Sequence, residues 1–291
     1  MIPHRPGKPR YTARTMPVTR FAPSPTGLLH IGHAHSALFA RQMAGGSPML
    51  LRLEDIDVTR CRPEYAAAIE ADLAWLGRAG PGPVRRQSEH FAEYRRALDR
   101  LIARGLAYPC FCTRTQLAAA MAAPHAGEPV YPGTCRTLAP AEREERIAGG
   151  AAHGWRLDVA AALAETGPLA WRDLDHGMIA AKPLESGDVL IARKDIPASY
   201  HLAVTWDDAL QNVELVTRGE DLFAATHIHR LLQALHDLPV PAWRHHPLLL
   251  DAQGRRFAKR DRAPTLAALR DAGTSAAAAR ALAGFPDQPA A

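Results

Sequence analysis

The stretch "RFAPSPTGLLHIGH", Arg20 to His33, decides the fold of this chain. It places two prolines, two glycines and two histidines between two regular segments. The segment before it, "PVTRFA" (17–22), has the pattern of a strand. The segment after it, "HAHSALFARQMA" (33–44), has the pattern of a helix, and Gly45 and Gly46 follow as its end. A strand, a tight turn and a helix in this order predict a phosphate-binding turn, because the N-terminus of a helix favours an anion.

Three residues of this stretch are suited to a nucleotide. Gly32 lacks a side chain where a nucleotide would approach the backbone most closely, and His30 and His33 offer hydrogen-bond donors to a phosphate. A metal site is the alternative, because His30, His33 and His35 are close together in the sequence. No acidic residue or cysteine accompanies them, which favours the nucleotide.

Strand-like and helical segments alternate along most of the chain. This alternation predicts an α/β fold with a Rossmann-like parallel sheet covered by helices. The strand-like segments are "MLLRLED" (49–55), "VRRQ" (84–87) and "HHPLLLD" (245–251). The helical segments are "PEYAAAIEADLAWLG" (63–77), "EHFAEYRRALDRLIARG" (89–105) and "EDLFAATHIHRLLQALHDL" (220–238). The alternation also includes "DVLIARK" (188–194), "YHLAVTWDD" (200–208) and "VELVTRG" (213–219).

The alternation breaks near Gly105 and resumes near Gly187, which indicates an insertion in one sheet domain. We expect a disordered tail, or residues upstream of the true start at Met16, followed by two halves of a catalytic domain around the insertion. The expected parts are 1–16 (tail), 17–104 (first half), 105–186 (insertion), 187–250 (second half) and 251–291 (a basic loop and a short helical segment).

Composition limits the classes of function. The chain has 291 residues, of which 47% are hydrophobic, enough for a sizeable core. The excess of 35 basic over 30 acidic residues mildly favours an anionic partner such as a nucleotide or a nucleic acid. No apolar run has the length of a membrane span or a signal peptide, so we expect a cytoplasmic protein without a membrane partner. The reducing cytoplasm then argues against disulfides, and we expect Cys61 to be a packed core thiol.

The other three cysteines have the pattern of a metal site. Cys110 and Cys112 form a C-x-C pair, and Cys135 follows 23 residues later. Three thiolates need one further ligand to complete a tetrahedral zinc site, and the spacing offers His125 or Tyr131. Three buried free thiols are the alternative.

Five motifs in a fixed order resemble the class I aminoacyl-tRNA synthetases, in their glutamyl branch. They are "HIGH" (30–33) preceded by "RFAPSPTG", "RLEDID" (52–57), "YHLAV" with "DD" (200–208), "TRGEDL" (217–222) and "RFAKR" (256–260). The last motif departs from the family's lysine loop, because Arg256 replaces its first lysine and Ala258 its serine, whereas Lys259 is retained. A solvated basic loop is the alternative interpretation of that motif.

The resemblance implies activation of glutamate by ATP with Mg²⁺. It assigns catalysis to His30, His33 and Lys259, which with Gly32 also bind ATP. It assigns glutamate binding to Arg20, Phe21, Ala22, Pro23, Ser24, Glu54, Tyr200 and Arg218. Arginines suit the carboxylates and Glu54 suits the ammonium group. Taken singly, Glu54 is also compatible with a charge at a strand end, and Tyr200 with a core aromatic residue.

The resemblance also bears on the insertion and on the partner. It favours Tyr131 as the fourth ligand of a structural zinc ion. It is greatest to the shortened glutamyl-type enzymes, which lack an anticodon-binding domain and esterify glutamate to the queuosine base of tRNA(Asp). We therefore expect ATP, L-glutamate and queuosine-bearing tRNA(Asp) as partners of a monomer. Two alternatives remain: a truncated or split glutamyl- or glutaminyl-tRNA synthetase that charges the tRNA 3′ end, and a non-catalytic nucleotide- or RNA-binding paralogue.

Overall fold

The computed structural model describes residues 16–77, 83–113, 115–116, 130–249 and 264–286. Its strands are β1 (Thr19–Phe21), β2 (Met49–Leu53), β3 (Arg85–Arg86), β4 (Ala107–Cys110), β5 (Gly154–Leu157), β6 (Ala170–Asp173), β7 (Gly177–Ala180), β8 (Leu190–Ala192), β9 (Leu215–Gly219) and β10 (Ala242–His246). Its helices are α1 (Ile31–Ala44), α2 (Pro63–Trp75), α3 (Phe91–Ala103), α4 (Pro140–Ala148), α5 (Val159–Thr166), α6 (Tyr200–Leu210), α7 (Ala225–Leu235), α8 (Leu266–Asp271) and α9 (Ala276–Leu282). Short 3₁₀ helices cover Gln87–His90, Pro183–Ser186 and Glu220–Leu222.

Two parallel groups of strands from distant parts of the chain meet side by side. Strands β1, β2 and β3 pair in parallel, and β10 pairs in parallel with both β9 and β6, beside which β7 runs antiparallel. The groups join next to β1, where the amides of Glu214 and Leu215 donate to the Val18 carbonyl at 3.0 and 3.2 Å. The Val18 amide in turn donates to the Glu214 side chain at 3.0 Å. The expected α/β class with a parallel sheet is confirmed.

A second, antiparallel sheet contains β4, β5 and β8. Its strands do not follow the boundary expected at residues 186 and 187, because β8 lies beyond it, while β6 and β7 lie before it and join the parallel sheet. The division of the chain into domains stays a prediction. The pairings place the hairpin of β6 and β7 with the parallel sheet.

Local sequence explains where most elements end. The first helix ends at Gly45, which adopts a left-handed φ of 61° and donates its amide to the Arg41 and Gln42 carbonyls, as the sequence predicts. The strand expected at 245–251 was wrong: β10 begins at Ala242 and ends at His246, before Pro247. Proline has no amide hydrogen for the ladder, so the strand is shifted toward the N-terminus.

The helices share two main cores. One contains α1, α2, α8 and α9 with β1 and β2, and its fully buried residues include Leu38, Ile69, Leu266 and Ala279. The other contains α3, α5, α6 and α7. The prediction of a core position for Cys61 was wrong: the thiol is half-buried in the loop after β2, 4.0 Å from the Glu54 carbonyl. Within the described ranges, no helix is long and apolar enough to cross a bilayer.

Candidate active site

A cleft of about 500 Å³ lies at the carboxyl ends of β1, β2 and β9 and at the start of α1. This is the edge of a parallel sheet at which such folds bind ligands. Every predicted glutamate- and ATP-binding residue that the structure describes lines the cleft; these are Arg20, Phe21, Ala22, Pro23, Ser24, His30, Gly32, His33, Glu54, Tyr200 and Arg218. Lys259 lies outside the described residues. The structure thus brings the predicted residues together, and their individual roles stay predictions.

Backbone hydrogen bonds hold the proline-rich loop after β1 against the end of β2. The Glu54 amide donates to the Pro23 carbonyl at 3.0 Å, and the Arg62 amide donates to the Pro25 carbonyl at 3.0 Å. Proline restricts φ and cannot donate, so these residues serve here as rigid acceptors. The loop is therefore fixed on the same side of the sheet as the Glu54 side chain.

The two histidines of "HIGH" cap the helix that they begin. Nδ1 of His30 accepts from the Gly32 amide at 3.1 Å, and Nδ1 of His33 accepts from the His30 amide at 3.1 Å. This reciprocal arrangement is a capping box made by two imidazoles. Because each Nδ1 accepts, the neutral rings carry their proton on Nε2, which makes that atom a donor suited to phosphate oxygens.

The structure also bears on the metal alternative for these histidines. In the portion of the chain that it describes, the side chains that lie close enough together to share a metal ion are those of three cysteines, and they do not include His30, His33 or His35.

A buried network of charges supports the end of the cleft where the predicted glutamate-binding residues lie, which we call the amino-acid end. Arg20 donates through Nε to Asp208 at 3.0 Å and through a terminal nitrogen to the Thr217 carbonyl at 2.8 Å. Arg52 is fully buried, 2.8 Å from the same Asp208 carboxylate and 3.6 Å from Glu54. Asp208 thus bridges the two arginines and orients both of them.

The net pKa shift differs between the two acids of this network, although burial acts in the same direction on both. Burial raises the pKa of Glu54, and the charges of Arg52 and Arg20 offset that effect only in part. Burial also acts to raise the pKa of Asp208, but the same two arginines outweigh it and hold this pKa below its usual range. The site therefore contains a firmly ionised Asp208 and a Glu54 that shares Arg52 with Asp208 at a longer distance, 3.6 Å against 2.8 Å.

Two members of the network were not identified as site residues from the sequence. Arg52 and Asp208 belong to the motifs "RLEDID" and "DD", so their signal was present in the segments that carry the resemblance. Their role as buried supports depends on contacts across more than a hundred residues, which no local pattern reveals.

Arg218 is the other buried cation of the cleft, and neutral groups surround it. It donates to the Tyr200 hydroxyl at 3.3 Å, to Nε2 of His245 at 3.2 Å and to Nδ1 of His229 at 3.1 Å, and it contacts the Thr226 hydroxyl. Burial lowers the pKa of the Arg218 guanidinium. Among the described residues, no carboxylate forms an ion pair with it, in contrast to Arg20.

The three predicted cysteine ligands lie together beside Tyr131, away from the cleft. The sulfur atoms of Cys110, Cys112 and Cys135 lie within 4.8 Å of one another. The Tyr131 hydroxyl lies 3.6 Å from the sulfur of Cys110 and 3.7 Å from that of Cys112, and the sulfurs of Cys112 and Cys135 are 3.5 Å apart.

These spacings fit a zinc ion. Tetrahedral ligands with Zn–S distances of about 2.3 Å lie about 3.8 Å apart. The observed separations of 3.5 to 3.7 Å are close to that edge length. His125, the other candidate ligand, lies outside the described residues.

A buried arginine accompanies the thiols. Arg156 donates through Nε to the Cys110 sulfur at 3.4 Å, and its guanidinium carbon lies 3.7 Å from the centre of the Tyr131 ring. A terminal nitrogen also donates to the Asp188 carbonyl at 2.6 Å. A cation at this place compensates the negative charge that several thiolates would bring.

The known proteins that resemble this chain agree with the interpretation of the residues that line the cleft. The family model "tRNA synthetases class I (E and Q), catalytic domain" matches residues 17–280. A Rhodobacter capsulatus protein named glutamyl-Q tRNA(Asp) synthetase is 46% identical over 92% of this chain and 100% of its own length. A Symbiobacterium thermophilum protein of the same name is 45% identical over 88% of this chain and 82% of its own length.

A solved structure agrees as well. A glutamate tRNA ligase from Elizabethkingia meningosepticum, crystallised with its amino acid, superposes with a TM-score of 0.71 at 26% identity. The match covers 84% of this chain, which spans about half (52%) of that structure. The chain belongs to the class I tRNA synthetases of the glutamyl and glutaminyl type. Within them, it groups with the relatives named glutamyl-Q tRNA(Asp) synthetase.

Proposed function

We propose that the protein is a ligase that activates L-glutamate with ATP in the absence of tRNA and then transfers the glutamyl group to the queuosine base of tRNA(Asp). The cleft carries the first part of this proposal, since it combines a buried Arg218 that forms no ion pair with a described carboxylate, a half-buried Glu54 and the capped start of α1. The acceptor is taken from the names of the relatives, which are similar over most of this chain.

Glutamate fits the amino-acid end of the cleft. Two arginines, Arg20 and Arg218, approach from neighbouring strands and offer planar donor groups to carboxylates. The Glu54 carboxylate is the acid available for the ammonium group. Ser24 and Tyr200 add hydroxyl groups at the same end. We assign the remaining contacts to Phe21, Ala22 and Pro23, whose loop is fixed by the hydrogen bond to Glu54.

Activation is a substitution at the α-phosphorus of ATP. An oxygen of the glutamate α-carboxylate attacks that phosphorus, the bond to the bridging oxygen breaks, and pyrophosphate leaves. No protein nucleophile is needed, so positioning and charge stabilisation supply the catalysis. His30 and His33 donate through Nε2 toward the α-phosphate, and the start of α1 adds its dipole. In the second step a hydroxyl of the modified base attacks the activated carbonyl, and AMP leaves.

The described residues on both sides of the segment that carries Lys259 lie at or near this cleft. Leu249, the last described residue before the segment that carries Lys259, lines the cleft. On the far side of the segment, Thr265 bridges to His30 and the Leu266 amide donates to the Leu29 carbonyl at 2.8 Å. We therefore assign Lys259 to the leaving phosphates, together with Mg²⁺ bound to ATP.

Further assignments complete the proposal. Cys110, Cys112, Tyr131 and Cys135 would hold a structural Zn²⁺, which would tie β4 to the segment around residues 131–135. We also propose that the enzyme works as a monomer in the cytoplasm, where the three thiols of the zinc site remain reduced.

Pyrophosphate exchange followed by transfer tests the function. Purified protein should incorporate labelled pyrophosphate into ATP when glutamate is present and tRNA is absent. Labelled glutamate should then pass to tRNA(Asp) that carries queuosine. The matched control is the same tRNA prepared without queuosine, which should accept none. Exchange only after addition of tRNA, or transfer to the tRNA 3′ end, would identify an ordinary glutamyl-tRNA synthetase. Absence of exchange under all conditions would refute an enzymatic role.

A further inference from the structure

We infer that His229 and His245 are positioning residues that hold Arg218 as a cation without a carboxylate partner, so that its charge is available to a carboxylate of the ligand. This inference rests on the glutamate-binding role proposed above for Arg218. It concerns two histidines that no motif of the chain identifies.

The hydrogen bonds around Arg218 show how the two imidazoles act. His245 lies directly beside Arg218 on the neighbouring strand, and its Nε2 accepts from Nε of the guanidinium at 3.2 Å. His229, on α7, accepts through Nδ1 from a terminal nitrogen at 3.1 Å. Each contact uses a lone pair of the imidazole, so both rings are acceptors at the atom that faces the guanidinium.

A second layer of partners fixes the proton of each ring on the far side. Nδ1 of His245 lies 2.7 Å from the buried Asp173 carboxylate, to which it donates. Nε2 of His229 lies 3.2 Å from Nδ1 of His201, to which it donates. These contacts select, for each ring, the tautomer that leaves a lone pair toward Arg218.

Both rings stay neutral near neutral pH. Burial, reinforced by the Arg218 charge, holds the pKa of His229 well below its usual range. Burial lowers the pKa of His245 to about 4, although the hydrogen bond that its ring donates to Asp173 acts in the opposite direction. Burial likewise lowers the pKa of His201 to about 4, and the Arg218 charge adds to it.

The consequence is a contrast between the two arginines of the cleft. Arg20 is paired with Asp208, which compensates its charge. Arg218 is oriented by neutral acceptors, and it forms no ion pair with a described carboxylate. A carboxylate in place of either imidazole would orient the guanidinium equally well, but it would compete with the ligand for the same charge.

Two substitutions of His229 distinguish its effect on the orientation of the Arg218 guanidinium from its effect on the charge around it. Asn and Asp both place an oxygen near the position of Nδ1, and both lose the contact to His201. His229→Asn keeps a neutral acceptor, so glutamate should bind within about threefold of the wild-type affinity. His229→Asp adds a competing charge, so its Kd for glutamate should rise at least about tenfold, as expected for the loss of a charge-assisted interaction.

Calorimetry with L-glutamate on the full chain is the direct measurement. In pyrophosphate exchange the same contrast should appear in KM for glutamate, with kcat changed little, because the interaction is present in the ground state. Equal affinities of the two variants would overturn the inference, as would absence of glutamate binding to the wild-type protein. Glutamate binding without exchange would refute the proposed activity alone.

Asp173→Asn gives a second test if the His229→Asp protein fails to fold. Asp173 accepts the Asp175 and His176 amides with Oδ1 and faces His245 with Oδ2. An amide there keeps the first contacts and turns its NH₂ group toward Nδ1 of His245. The ring then carries its proton on Nε2, where it faces the N–H group of Arg218 and can no longer accept a hydrogen bond from it. The same exchange of Asp for Asn produces the wrong histidine tautomer in hydrolase triads. We expect a higher Kd for glutamate with an intact fold; an unchanged Kd would refute the proposed role of His245.

Discussion

At the scale of the residue, Glu54 combines the binding role proposed above with a cost to stability. Burial raises its pKa, so the folded protein disfavours the ionised form. Between the unfolded and the folded pKa the native state binds more protons than the unfolded state, and stability therefore falls as the pH rises through that range. At neutral pH the ionised carboxylate destabilises the protein until a ligand ammonium group compensates it.

Glu54→Gln should therefore stabilise the free protein and weaken glutamate binding. We expect the free energy of unfolding at pH 7 to rise by about 1 kcal/mol, the usual gain when a destabilising functional group is removed. The gain should shrink as the pH approaches about 4.3, where an ordinary glutamate also becomes neutral. Thermal unfolding from pH 4 to 8 measures it. The exposed Glu89→Gln is the control and should show neither effect. A less stable Glu54→Gln protein would contradict this account of the carboxyl group.

At the scale of the element, the proposed zinc site joins the end of β4 to the segment around residues 131–135. The cluster around that site contains Tyr108, Cys110, Tyr131 and Cys135 as its buried members, which is a small core. A bound metal ion contributes folding free energy directly where packing is this limited. Strands β4, β5 and β8 also contribute buried residues to the larger core that contains α3, α5, α6 and α7, so loss of the metal ion should loosen the surroundings of the thiols and leave the rest of the sheet packed.

Loss of one thiol should therefore act mainly on the end of β4 and on the segment around residue 131. Cys135→Ser should lower bound zinc from about one ion per chain to well below it. Hydrogen exchange should accelerate in β4 and around residue 131 and change little in β9. Cys61→Ser is the control and should retain the metal, because this thiol lies in a different loop. Equal zinc content in both variants would exclude Cys135 as a ligand.

Elements with a clear periodic pattern were predicted well. The helices α1, α2 and α3 lie within a few residues of their expected limits, because their apolar residues recur at helical spacing. The strand at 245–251 was misplaced because its apolar run follows Pro247 and the true strand precedes it. The hairpin of β6 and β7 was not assigned to the parallel sheet, since its pairing with β10 joins residues about seventy positions apart.

In the candidate site too, some residues could be predicted from the sequence and others could not. The residues that line the cleft belong to short motifs, and their types indicate their chemistry. Their supports do not: Arg20 meets Asp208 across 188 positions, and Arg218 meets His245 across 27. Contacts of this kind depend on which strands become neighbours, and a local pattern contains no record of that.

At the scale of the whole molecule, the last helices are part of the catalytic core. Arg270 of α8 donates to Asp72 of α2 at 2.9 Å, and the other oxygen of this buried carboxylate has no hydrogen-bond partner among the residues that the structure describes. Burial raises the pKa of Asp72, and Arg270 opposes that effect. The contact ties the segment that follows Lys259 to the first half of the sheet.

Arg270→Ala should leave Asp72 buried without a cation. We expect a loss of about 1 to 2 kcal/mol in the free energy of unfolding, less than for a fully buried pair because Arg270 is partly exposed. The double variant with Asp72→Asn should recover part of the loss, because the uncompensated charge is then gone. Arg62→Ala, which breaks an exposed ion pair with Glu64, is the control and should change stability little. Chemical denaturation of the wild type, the two single variants Arg270→Ala and Asp72→Asn, and the double variant gives the coupling energy.

The join between Val18 and Glu214 has a consequence for how the protein folds. The two residues lie 196 positions apart, and the bonds between them bring β1 beside β9. Arg20 and Arg218 come from those two strands, so the amino-acid end of the cleft exists only when this long loop has closed. Closure of such a loop has a high entropic cost and is slow, which places the assembly of the substrate site late in folding. An incompletely folded chain therefore lacks a glutamate site, even when each half of the sheet has already formed.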